Sequence, residues 1–151
     1  MHATNKTETL ERLANERFQL VQELRQSVEQ QLQFIQQQQM SRLLQHLTAK
    51  QKVVNRFAEV QQMLLTLVND PTGETVWPNA QQQAECRQVV QAAEDVLRQV
   101  VELEQACEEA LQAEREQLAT QIDRTVSRQR AVTAYRASAT PETSQLDLSS
   151  D

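Results

Sequence analysis

The sequence is short of the residues that bend and break a chain. It holds one glycine and three prolines in 151 residues, and Gly73, Pro71 and Pro78 all fall between Asn69 and Asn79. Neither type recurs until Pro141. A single glycine cannot build the glycine-rich loop that cradles a phosphate. Aromatic residues are scarce as well, at 3%. Apolar burial therefore has to come from Leu, Val, Ile and Ala arranged as stripes on helices, and strands are not expected. There are two cysteines, Cys86 and Cys107. On one helix they would stand about 30 Å apart at 1.5 Å per residue, out of disulfide reach, so they read as free thiols filling core space. The two histidines, His2 and His46, belong to no metal-ligand spacing, and the Glu-x-x-His pair of di-metal bundles does not occur. Paired carboxylates such as Glu108–Glu109 and Glu114/Glu116 read as a solvated helix face. No catalytic constellation, cofactor site or small-molecule substrate is expected; the chain does not read as an enzyme.

Two further absences bear on partners and place. No apolar run approaches the eighteen or so residues of a membrane span, and the start, Met1 to Lys6, lacks the apolar core of a secretory signal. A cytosolic protein that is not integral to a membrane is expected. The net charge is −6, and Lys and Arg are interleaved with Glu, so no basic face is offered to nucleic acid.

What is present is helical period. Thr7 and Thr9, each with acidic residues in the next turn, are candidate N-caps of a first helix. Leu10, Leu13, Leu20, Val21, Leu24, Val28, Leu32 and Ile35 then recur at spacings of three and four on one face. The tract Gln36 to Gln39 interrupts the stripe, and Ser41 is able to cap a new helix, so the first arm is kinked or broken near residues 38–41, giving three helices in all. Leu43, Leu44, Leu47, Val53, Val54, Phe57, Val60, Met63, Leu64, Leu67 and Val68 form a wider apolar face, expected to be the better buried part of the arm. The stretch 69–79 is the reversal: proline cannot continue a helix, glycine supplies a tight turn, and Asn79 is a natural cap for the next helix. Trp77 is expected to pack over the open end of the bundle.

After the reversal one helix is expected to run to about Tyr135. Its densest stripe, Cys86 to Leu111, includes Val89, Ala93, Val96, Leu97, Val100 and Cys107. From Glu114 the same period continues more sparsely through Leu118, Ile122 and Val126, flanked by Arg115, Asp123, Arg124, Arg128 and Arg130. Such a face is either packed loosely against the Leu13 to Val28 part of the first arm or kept for another protein. The Ser/Thr-rich end, 138–151, should be a flexible tail. The expected fold is thus all-α: a long antiparallel helical hairpin or bundle over residues 1–137, with arms at about 7–68 and 79–137.

Two segments carry a family resemblance. Leu43-Leu44-Gln45-His46-Leu47-Thr48-Ala49-Lys50-Gln51-Lys52-Val53-Val54 resembles the paired leucines, Lys-Gln pair and apolar pair of the FlgN family of bacterial flagellar export chaperones. Ala131-Val132-Thr133-Ala134-Tyr135-Arg136 is similar to the end of that family's last helix. Where the family often has a Gly-Asp pair before the leucines, this chain has Gln39-Met40-Ser41. The resemblance implies a cytoplasmic chaperone that binds hook-filament junction proteins, prevents their premature assembly and delivers them to the export gate. It offers Leu118, Ile122 and Val126 as the client groove and Tyr135 as the gate-docking residue; the other reading of Tyr135 is a ring packed on Leu10 or Leu13. A structural coiled-coil scaffold that homodimerises through its arms is the competing function.

Overall fold

The computed structural model describes the backbone over residues 2–70 and 75–148 and the side chains over 6–70 and 75–138. The order is α1 (His2–Gln36), α2 (Met40–Val68) and α3 (Ala80–Leu148), with no strand among the described residues. The chain divides into two compact units, residues 1–110 and 111–151. The first holds α1, α2 and α3 as far as Ala110; the second is the remainder of the chain.

In the first unit the glutamine tract is a break and not a kink. Gln38 takes the left-handed conformation at φ 59°, alone among the described non-glycine residues. Its N–H donates to the carbonyl of Ile35 at 3.1 Å, and Gln39 N–H reaches back to Phe34 at 2.9 Å. This is the paired 5→2 and 6→1 closure of a Schellman motif, with glutamine where glycine is usual. The chain turns back within three residues. Ser41 does not cap α2: it already lies inside the helix, and Gln39 holds the N-cap position without a side-chain bond.

The reversal before α3 behaves as the sequence suggests at its far end. Asn79 Oδ1 accepts from Gln82 N–H at 2.8 Å, the bond of an N-cap residue to the third helical position. Asn69 closes α2 through its N–H to Leu65 at 3.0 Å. Pro71 and Gly73, expected from the sequence to form this turn, lie outside the described residues. Trp77 is half-buried.

Contacts across the first unit fix the direction of its helices. Arg56 meets Glu16 and His46 meets Ser27, so α1 and α2 run antiparallel. Arg17 meets Glu94, Arg25 meets Gln99 and Cys107 meets Val28, so α3 runs parallel to α1. Up-down-up is the result.

Burial reverses one expectation. The better buried helix is α1, not α2: Leu13, Ala14, Val21, Val28 and Ile35 are almost wholly enclosed, whereas on α2 only Leu43 and Val60 are. The cause is position and pattern together. One part of the α1 stripe, Leu13 and Leu20, packs on Val60 of α2, and another, Val21, packs on Ala93 and Val96 of α3. On α2 the apolar residues come in adjacent pairs, which a 3.6-residue period cannot put on one face, so Leu44, Leu65 and Val68 point outward. The same holds on α3, where Val100 is buried and Val101 is exposed. Leu97 is only half-buried.

Both long helices exceed the limits read from sequence. α1 starts at His2, ahead of Thr7 and Thr9, and α3 runs to Leu148, past Tyr135. Ala131, Ala134, Ala137 and Ala139 are strong helix formers, and nothing before Pro141 stops the period. The tail expected at 138–151 falls, from residue 139 on, outside the residues whose side chains are described.

Candidate protein-binding face

The first unit is held in register by polar side chains that cross between helices. Arg17 is 6% exposed and sits on the α1 stripe, three and four residues from Leu20 and Leu13. It donates from Nε to Gln61 at 2.8 Å and from Nη2 to Glu94 at 2.5 Å, and its guanidinium lies 5.7 Å from the Phe57 ring centroid. One α1 residue therefore engages both other helices. Lys50 does the same from α2, donating to buried Gln31 on α1 at 3.0 Å and pairing with Glu104 on α3. His46 Nε2 lies 2.7 Å from the Ser27 carbonyl, which can only accept, so that nitrogen carries the proton. Phe34 meets the His46 ring edge-on at 5.6 Å.

Cys86 and Cys107 are free thiols. Burial pushes both upward from their ordinary value, with Glu11 adding to the effect at Cys86 and Glu104 at Cys107. A thiol held protonated is a poor nucleophile. Cys107 is 1% exposed, with Sγ 3.8 Å from the Val28 carbonyl, and so fills core space.

The surface of the first unit carries an apolar concavity of about 610 Å³ between α1 and α2, lined by Leu13, Met63 and Leu67 together with Arg12 and Glu59. Nothing in the sequence marks it, because Leu13 and Met63 belong to stripes that look wholly internal.

In the second unit Leu118, Ile122 and Val126 are 57%, 53% and 37% exposed. Val132, 48% exposed and fourteen residues after Leu118, extends the row; its signal was the seven-residue spacing Leu118, Thr125, Val132. Tyr135 is 78% exposed. All residues from Arg115 to Ser138 are exposed, an apolar row on a helix otherwise solvated.

Among the described residues no three His, Cys, Asp or Glu side chains converge as a metal site would need, and no described helix is long and apolar enough to cross a membrane. No protein-family model, curated protein or solved structure matches the chain.

Proposed function

We propose that the chain is a bacterial cytoplasmic export chaperone of the FlgN type, which holds hook-filament junction proteins and hands them to the flagellar export gate. The observation that carries this reading is the exposed row Leu118, Ile122 and Val126. An amphipathic helix of a client would replace water over that row with its own apolar side, as helix-in-groove binding does. Two features support it further: the Leu43 to Val54 and Ala131 to Arg136 segments that resemble the family, and the exposure of Tyr135, nine residues beyond Val126 and open to a second partner. No catalytic role is part of the reading.

Pull-downs with purified junction proteins and with the cytosolic domain of the export gate test it. Replacing Ile122 and Val126 together with Ser abolishes client binding with the helical circular-dichroism spectrum retained. Tyr135→Ala leaves client affinity unchanged and weakens gate binding. An unaltered protein that captures neither partner overturns the proposal and moves the scaffold reading to first place.

A further inference from the structure

The two flanks of the Leu118 row differ in charge. Gln117, Gln121, Arg124, Arg128 and Tyr135 follow one another at steps of four, three, four and seven residues, a stripe one position behind the row and so about 100° round the helix from it. Its charged members are Arg124 and Arg128, both exposed, and among the described residues neither guanidinium has a hydrogen-bond or ion-pair partner. No carboxylate stands on that stripe between Gln117 and Tyr135. The other flank, one position ahead of the row, carries Asp123 and Arg130, one charge of each sign. Two guanidiniums one turn apart on a helix repel each other. Carboxylates brought in from outside relieve that repulsion and pair with planar, multiply donating groups.

We propose that the row receives an acidic amphipathic helix, one whose apolar side covers Leu118, Ile122 and Val126 and whose edge carries two carboxylates about a turn apart, paired with Arg124 and Arg128. This deepens the function proposed above by naming the chemistry of the segment bound, and it rests on that reading only for the partner's identity as a client. Apolar side chains supply the affinity of helix-in-groove binding, while edge charges choose among helices of similar apolar content. The distribution of charge selects a helix over a lipid surface. A helix lying in an anionic bilayer carries cations across its polar face and sinks bulky apolar or aromatic side chains. Here Glu116 and Asp123 stand on the polar side, and Thr125 and Gln129 interrupt the row. At a net charge of −6 the chain as a whole is repelled by an anionic bilayer, whereas a partner with carboxylates at one edge needs only the local arginine pair.

Two synthetic helices of about five turns with the same Leu, Ile and Ala seam, one edged with Glu and the other with Lys, test the choice by fluorescence anisotropy against the full chain. Wild type binds the Glu helix about tenfold more tightly than the Lys helix, against its own net charge, and salt narrows the gap. Arg124→Glu/Arg128→Glu inverts the preference with the helical circular-dichroism spectrum retained, both positions being exposed. Arg124→Lys/Arg128→Lys keeps it. Equal affinity for the two helices, a preference for the Lys helix, binding to neither, or a reversal variant that behaves as wild type overturns the proposal. So does tighter binding to vesicles of phosphatidylglycerol and phosphatidylcholine than to the Glu helix. Purified junction proteins separate the proposal from the function it deepens. A wild type that prefers the Glu helix and captures no junction protein removes the chaperone reading and leaves the acidic-helix site standing. Junction proteins held equally by wild type and by the double reversal keep the chaperone reading and remove this one.

Discussion

Arg17 of α1 and Glu94 of α3 meet at 2.5 Å across the interior of the helical unit, the arginine enclosed and the carboxylate half-exposed. The asymmetry sets what each contributes. Glu94 loses little on release, because water reaches it. Arg17 lies among apolar side chains with Gln61 and Phe57 as its other partners, so its guanidinium has nowhere else to go.

Arg17→Ala is therefore expected to lower stability by about 2–3 kcal/mol through lost bonds and lost packing. Arg17→Met, which keeps volume and leaves Glu94 to rehydrate, costs about 1 kcal/mol. Urea unfolding of the two variants gives the comparison; equal losses would show that packing is not what the arginine supplies.

Gln38 sits in a backbone region that costs an L-residue with a Cβ about 1 kcal/mol. Gln38→Gly should raise stability by about 0.5–1 kcal/mol, and Gln38→Val should lower it by a larger amount. Thermal melts of both, moving in opposite directions, are the expected result.

Asn79→Ala removes the side-chain acceptor that holds Gln82 N–H and should cost about 1 kcal/mol, with Asn79→Asp retaining most of the stability. Denaturant titration of the pair separates the cap from any general effect of the site.

Val21→Asp places a carboxylate where the side chain is wholly enclosed and should cost several kcal/mol, whereas Leu118→Asp, at 57% exposure, should stay within about 0.5 kcal/mol of wild type. Melts that fall equally would contradict the exposure of the row.

The two thiols give a pH dependence. Burial raises both above their ordinary 9.0, so the folded state holds its thiol protons more tightly than the unfolded chain. Their stabilising contribution is complete below pH 9 and is lost as pH rises through the folded values. Cys107→Ser should flatten part of the alkaline fall in stability, read from unfolding at pH 7 and above pH 9. In the native protein Cys86 should react with thiol reagents well before Cys107.

Much of this organisation is legible in the residues. The Asn79 cap, the long period after it and the thinning of that period at Leu118 come from spacing alone, because cap chemistry and helix period are local. Arg17 was not legible: it stands where the Leu13–Leu20 stripe requires an inward residue, but a charged side chain on a stripe reads as an edge until the helices around it are known. The interruption of the stripe at Gln36 to Gln39 marked a break near residues 38–41, but nothing marked Gln38 as its left-handed residue. Glutamine has no preference for the left-handed region, and only the closing bonds to Phe34 and Ile35 identify it. The parallel pairing of α1 with α3 is non-local, and nothing in either stripe names its partner.

The three-residue link at Gln37–Gln39 also orders events in time. A chain emerging from the ribosome completes α1 and α2 before any of α3 exists, and the loop that must close between them is among the shortest that can join two helices. Their association is early and local, and it leaves Val21 and Phe57 facing outward together. Those residues form the landing strip onto which Ala93 and Val96 settle once the later helix is made. Slowing that last step, for instance by lengthening the link after Val68, should leave a long-lived two-helix intermediate, while lengthening the first turn should delay everything.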